Sequence, residues 1–183
     1  FRRVLFRSHV DDAYFGGELN GGKAGRGSEN KIPFVAALEM SDENRPIYLK
    51  LNRVSGFTSD AIEAWSQESL APGCLVFSGG LACFRAVAAA GCDHAPVVIG
   101  GRKPKDVPLF QWLNTIIGNV KTALSGTHHA FNFKKYGDRY LAEMSYRFSR
   151  RFYLKGLLQR LLIAGIGCEP KPERLLRSAE LCC

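Results

Sequence analysis

Two adjacent carboxylates, Asp11 and Asp12, stand in the run Val10-Asp11-Asp12-Ala13-Tyr14-Phe15-Gly16-Gly17. They follow the apolar Val4-Leu5-Phe6 and precede a glycine pair, which predicts acids at the end of a buried strand. A carboxylate held there by a rigid scaffold is a hard oxygen ligand for a divalent cation. The competing reading is a turn opened by Asp-Asp. A second stretch with chemical content is Gly17, Gly22 and Lys23, which fit G-x-x-x-x-G-K, with Ala24 where Ser or Thr should ligate Mg²⁺. Gly25, Gly27 and Pro33 follow, and no helix can open there to cradle a phosphate. The segment from Gly16 to Asn30, with six glycines and Lys23 and Arg26, therefore reads as a basic mobile loop.

The elements that must position these residues follow from composition and periodicity. A chain of 183 residues with 46% apolar content supports one domain with a core, plus a short extension. No run of eighteen apolar residues occurs and no secretory leader pattern is visible, so the expectation is a soluble cytoplasmic protein without membrane association. The formal charge is +8, and from Lys134 to Cys183 eleven Lys and Arg face five Asp and Glu, a net of +6. Such a tail suits a polyanion, nucleic acid being the commonest, as well as a solvated basic face. Six cysteines, Cys74, Cys83, Cys92, Cys168, Cys182 and Cys183, show no C-x-x-C pairing with histidines and read as reduced thiols. His128-His129 lacks the partners that zinc requires.

Along the chain, residues 1–9 read as a partial first strand. The start on Phe-Arg-Arg without methionine suggests a fragment or non-native residues. Strands are expected at 34–40 and 47–54, the second with Ile47, Leu49 and Leu51 alternating against Tyr48, Lys50 and Asn52. Thr58 or Ser59 caps a helix to about Ser69 that turns Ile62 and Trp65 inward. Cys74-Leu75-Val76-Phe77 is the run of a central parallel strand. An alanine-rich helix over about 81–90 and a fifth strand over 95–99 come next, then the basic loop Arg102-Lys103-Pro104-Lys105. Helices are expected over 107–124, with Phe110, Leu113, Ile117 and Val120 on one face, over 133–149, and near 173–181. Trp65 and Trp112 are both assigned to the core. Three strands, helix, strand, helix, strand, helix is the order of a ribonuclease H-like α/β domain with a mixed five-stranded sheet flanked by helices, here over 10–151. A basic helical C-terminal extension occupies 152–183.

The wording of several stretches is more specific than their order. Besides residues 10–17 these are the glycine-rich basic loop, Phe110-Gln111-Trp112-Leu113-Asn114-Thr115-Ile116-Ile117-Gly118-Asn119-Val120-Lys121, Gly126-Thr127-His128-His129 and the segment from Tyr140 to Arg151. Together they resemble the bacterial insertion-sequence transposases of the DDE type, in the branch related to the eukaryotic Merlin elements (ISXO-like transposase domains). The resemblance implies a metal-dependent core that cleaves double-stranded DNA at element ends and joins the 3′-hydroxyl to target DNA. It also implies two Mg²⁺ or Mn²⁺ ions and a homo-oligomer acting on DNA in the bacterial nucleoid. Asp11 matches the first catalytic position and Asn114 the third, both as metal ligands. Lys121, seven residues after Asn114 and so on the same helix face, is placed to reach a phosphate. Arg102, Lys103, Lys105, Lys121, His128, Arg147, Arg150 and Arg151 are the expected DNA contacts, the arginines also complementing a helix C-terminus.

At the second catalytic position the chain departs from the pattern. Ser78-Gly79-Gly80 stands where Ser-Asp-Gly is expected, and Gly79 lies 35 positions before Asn114, as the family spacing requires. Asp12 cannot substitute, because adjacent strand residues face opposite ways. The expectation is a transposase domain impaired by the loss of one carboxylate. The alternative is a non-catalytic nucleic-acid-binding or interaction domain derived from the same fold.

Overall fold

A computed structural model describes residues 6–16, 31–98, 100–101, 107–128 and 132–178. The glycine-rich segment with Gly17, Gly22, Lys23 and Ala24 lies outside the described residues, as do Arg102, Lys103, Lys105, His129, Cys182 and Cys183. The order of elements is β1 (Arg7–Phe15), β2 (Ile32–Met40), β3 (Pro46–Arg53), α1 (Ser59–Ser69), β4 (Leu75–Ser78), a 3₁₀ helix (Ala82–Ala90) and β5 (Asp93–Pro96). A short 3₁₀ turn (Pro108–Phe110) then leads into α2 (Gln111–Thr127) and α3 (Phe133–Ser149), followed by α4 (Leu157–Gly167) and α5 (Glu173–Ser178).

One five-stranded sheet runs in the order β3-β2-β1-β4-β5. β1 pairs antiparallel with β2 and β2 with β3, while β4 joins β1 in parallel and β5 joins β4 in parallel. This is the ribonuclease H-like mixed sheet expected from the order of elements. The strand period of two divides the core into two layers. Ala13, Phe15, Phe34, Ala36, Leu38, Leu49 and Leu51 form one layer with α2, whose Leu113, Ile116, Ile117, Val120 and Leu124 are its buried stripe, and with α3, whose Leu141 lies on the β3 side. Val10, Val35, Ala37 and Val76 face Ile62 and Trp65 of α1 and Phe84 and Val87 of the 3₁₀ helix.

The local chemistry accounts for the ends of several elements. Thr58 Oγ1 accepts the Ala61 N–H at 3.3 Å and caps α1. Gly91 at φ 74° ends the alanine-rich segment in the left-handed region. That segment is a 3₁₀ helix rather than the expected α-helix, and β5 lies at Asp93–Pro96 rather than 95–99. The strand pairs with β4 through the polar residues Asp93 and His94, which an apolar pattern search passes over.

The free edge of β3 is covered by α3. Ser145 Oγ accepts the Leu51 N–H at 3.0 Å and Ser149 Oγ the Leu49 N–H at 3.1 Å, so two edge donors are satisfied by helix side chains. Arg53 joins Asp138 of α3 at 2.7 Å. Phe15 stacks on Phe133 with ring centroids 4.5 Å apart, fixing the start of α3 over the end of β1. No helix among the described residues is long and apolar enough to cross a membrane.

Candidate functional site

β1 is the central strand, and Asp11 and Asp12 lie within it rather than at its end. The strand continues because Ala13 and Phe15 pack on α2, and that apolar alternation outweighs the turn preference of two aspartates. A terminus does exist at this level, but it belongs to β4. The β1–β4 pairing stops at Val10↔Ser78, so from Asp11 onward β1 has lost its parallel neighbour. The gap opens at the C-terminal ends of two adjacent parallel strands, where open α/β sheets present their binding crevices. Beyond it the Asp12 N–H donates to Asp11 Oδ1 at 3.0 Å, which orients the carboxylate.

Gly79 follows β4 directly, and a Cβ built on it lies 3.4 Å from Asp11 Oδ1. The two positions that the sequence comparison pairs as first and second acids are thus in contact. Asp12, in register with Val35, points to the α1 layer as the strand alternation requires. Asn114 and Lys121 are exposed on α2, the helix that covers Asp11's face of the sheet. At about 100° per residue both fall on the same flank of its buried stripe.

The opposite flank of α2 carries a correction. Trp112, expected in the core, is 49% exposed. With Asn119, Phe148, Arg151, Phe152 and Arg45 it lines a cleft of about 400 Å³. Trp65 is buried as expected, its Nε1–H donating to Asn52 Oδ1 at 3.4 Å.

The described basic residues have distinct surroundings. Lys121 is exposed, and the backbone N–H of His128 closes α2 on Leu124 O while its ring lies 4.4 Å from that of Tyr140. Arg147 is exposed and pairs with Glu143 at 3.4 Å. The Arg150 guanidinium sits 3.8 Å over the Tyr146 ring. Arg151 packs on Phe148 and Phe152 and donates to the carbonyl oxygens of Pro46, Ile47 and Phe148, so its guanidinium ties α3 to the start of β3.

Two histidines escaped sequence reasoning. His9, two residues before Asp11 and facing the same way, is 1% exposed, with its ring edge-on to Phe77 and Phe110 and neither ring nitrogen hydrogen-bonded. Burial, with Arg7 nearby, lowers its pKa to about 4. His94 on β5 hydrogen-bonds Ser78 at 2.8 Å. The signal for His9 was its i−2 position to Asp11 on an alternating strand; His94 gave none, since its strand was placed too late. Cys74, Cys83 and Cys92 are buried free thiols, and burial pushes Cys74 up to about 11, as suits unreactive core residues.

The donor set does not fit a pair of divalent ions as it stands. Among the described residues no three His, Cys, Asp or Glu side chains converge. Among the described residues Asp11 is the carboxylate that a side chain at position 79 would meet, and position 79 itself offers no side-chain oxygen. Two hard dications need more anionic oxygen than one Asp and one Asn amide supply.

Comparison with known proteins agrees with this geometry. The family model described as the ISXO2-like transposase domain matches residues 7–149, from the first residue of β1 to the last of α3. No curated protein matches the chain.

Proposed function

The chain belongs to the ISXO2-like transposase domain family, which makes it a DDE-type transposase domain, and on that premise we propose that it is an insertion-sequence transposase core whose cleavage and strand-transfer chemistry is impaired at Gly79. Families of this type act on DNA and generally use divalent metals. In the proposed assignment Asp11 and Asn114 are ligand positions, Gly79 occupies the place of the second aspartate, and Lys121 binds phosphate. Arg102, Lys103, Lys105, His128, Arg147, Arg150 and Arg151 extend the DNA contact. Residues 10–151 form the catalytic unit, and 152–183 a basic extension. A bacterial origin, the relationship to Merlin elements, two Mg²⁺ or Mn²⁺ ions in an intact relative, a homo-oligomer on double-stranded DNA and a place at the nucleoid belong to the same proposal.

What carries the reading is the 3.4 Å approach of a Cβ at position 79 to Asp11 Oδ1. A side chain at 79 enters the crevice beside the Asp11 carboxylate, with ordinary van der Waals room. Glycine there removes charge without disturbing the backbone around it. The same residue favours a second reading, a non-catalytic DNA-binding domain that keeps the fold and its basic surface.

The two readings separate on one substitution. Gly79→Asp, assayed for Mg²⁺- or Mn²⁺-dependent nicking and strand transfer on element-end DNA, gains activity over a parent near background under the first reading. A Gly79→Asp protein that binds the DNA, stays inactive and gains no affinity for Mn²⁺ leaves the DNA-binding reading in place.

A further inference from the structure

The turn that carries residue 79 is fastened from behind by a side-chain relay. Ser78 is fully buried and its hydroxyl has two partners, the Gly79 carbonyl oxygen at 3.1 Å and His94 Nε2 at 2.8 Å. A serine hydroxyl has one hydrogen to give. If that hydrogen goes to the Gly79 carbonyl, His94 must donate through Nε2–H and serine must accept. The backbone adds a third tie, the Val97 N–H donating to Ser78 O at 2.8 Å. Ser78 and His94 belong to neighbouring parallel strands, with His94 in register with Val76, two residues before Ser78. The relay therefore crosses from the end of β4 to β5.

We propose that His94 is a positioning residue: its Nε2–H holds the Ser78 hydroxyl on the Gly79 carbonyl and so aims the Cα–Cβ direction of residue 79 at Asp11. This rests on the reading of position 79 as the second ligand position. Gly79 has no side chain of its own to lock its backbone, and Gly80 follows it, so the conformation of this turn must come from its neighbours. Burial, reinforced by the charge of Arg85, keeps the His94 imidazole below its usual range and hence neutral near pH 7, the state in which a single ring nitrogen carries the proton. The Nδ1 atom then has no proton, and the Nε2 tautomer follows from the serine's own bond. Groups hydrogen-bonded directly to a metal ligand are ordinarily worth about 10- to 100-fold in affinity, and a relay that acts one group further back, through the backbone, belongs at the low end of that range.

Two measurements test it. In the unaltered protein, ¹⁵N NMR should show His94 as the Nε2–H tautomer at pH 7, and the Nδ1–H tautomer would overturn the proposal. In Gly79→Asp protein, Mn²⁺ binding followed by electron paramagnetic resonance should weaken about 10-fold on adding His94→Ala. His94→Gln, which keeps an N–H donor, should stay within about 3-fold of the parent. Equal affinity in all three proteins overturns the relay. If Gly79→Asp binds no Mn²⁺ at all, the assignment of position 79 fails, and the tautomer still decides whether His94 orders the turn.

Discussion

Replacing His9 by leucine isolates the energetics of the polar group buried next to Asp11. Leucine nearly matches the volume of the imidazole and removes two ring nitrogens that lack hydrogen-bond partners in a core position. An unsatisfied buried polar atom costs roughly 1 to 3 kcal/mol, so His9→Leu at pH 7.5 should fall within about 1 kcal/mol of the parent or gain up to about 2 kcal/mol. The pH dependence is the sharper part. The native imidazole titrates at about 4 against an ordinary value of 6.5. The unfolded chain therefore takes up a proton below about pH 6.5 that the folded protein refuses until about pH 4. Stability should decline as pH falls through that window and stop declining, for this group, below it. The gap amounts to about 3 kcal/mol. Urea unfolding of parent and variant at pH 7.5, 6.0, 5.0 and 4.2 should give curves that diverge by most of this amount, the variant holding its stability. His94 is also lowered and bends both curves alike, so it cancels in the difference. Parallel curves would refute the argument, as would a loss above about 3 kcal/mol for His9→Leu at pH 7.5, which would mean that the imidazole is satisfied.

Four further outcomes follow from the same packing. Ser145→Ala leaves the buried Leu51 N–H without its acceptor and should cost about 1 to 2 kcal/mol in urea melts, more than Ser149→Ala, whose site is half-buried and open to water. Gly137→Ala brings a Cβ to 2.9 Å from the Phe133 ring, the partner of Phe15, and should cost about 1 to 3 kcal/mol, visible as a lowered Tm. Truncation after Gly156 removes α4 and α5, neither of which buries a side chain among the described residues, and should change the unfolding free energy by no more than about 1 kcal/mol. Lys121→Ala should weaken DNA binding and reduce the magnitude of the slope of log K against log salt by about 1, whatever the DNA sequence, whereas an unchanged slope would remove Lys121 from the phosphate contacts.

The sheet and its helices were legible because their signals are apolar and periodic. The alternation of Ile47, Leu49 and Leu51 announced β3, although Ile47 is exposed and Lys50 buried, and Leu113, Ile117 and Val120 announced the inner face of α2, with Phe110 buried in the turn before it. Where the fold was misjudged, the competing force was tertiary. The apolar run before Asp11 and Asp12 and the glycine pair after them predict a strand end, yet the packing of Ala13 and Phe15 on α2 carries β1 past them. An aromatic residue in a helix with an apolar stripe reads as core, but Trp112 lies on the far flank of the α2 stripe and is half exposed. His94 was missed because β5 is polar and short and is held by the backbone ladder to β4, which no residue pattern records.

The crevice shows why a missing carboxylate at position 79 can be proposed from sequence while its surroundings cannot be read there. Asp11 and Gly79 are 68 positions apart in the chain, and only the parallel pairing of β1 with β4, ending at Val10↔Ser78, brings them into contact. Spacing along the sequence points to residue 79 through its distance to Asn114, which has nothing to do with that pairing. The two lines of argument are independent, and they converge on one backbone position. Among the described residues the space beside Gly79 is open up to Asp11: the Cβ of a side chain would meet Asp11 Oδ1 at contact distance, not closer. In the absence of cations, a carboxylate restored there would stand a few ångströms from that of Asp11, a repulsion of about 4 kcal/mol for charges about 4 Å apart at an effective dielectric near 20. A bound dication would relieve that repulsion. The stability of Gly79→Asp protein should accordingly rise with Mg²⁺ by more than that of the present chain, which has no carboxylate at 79 to repel that of Asp11.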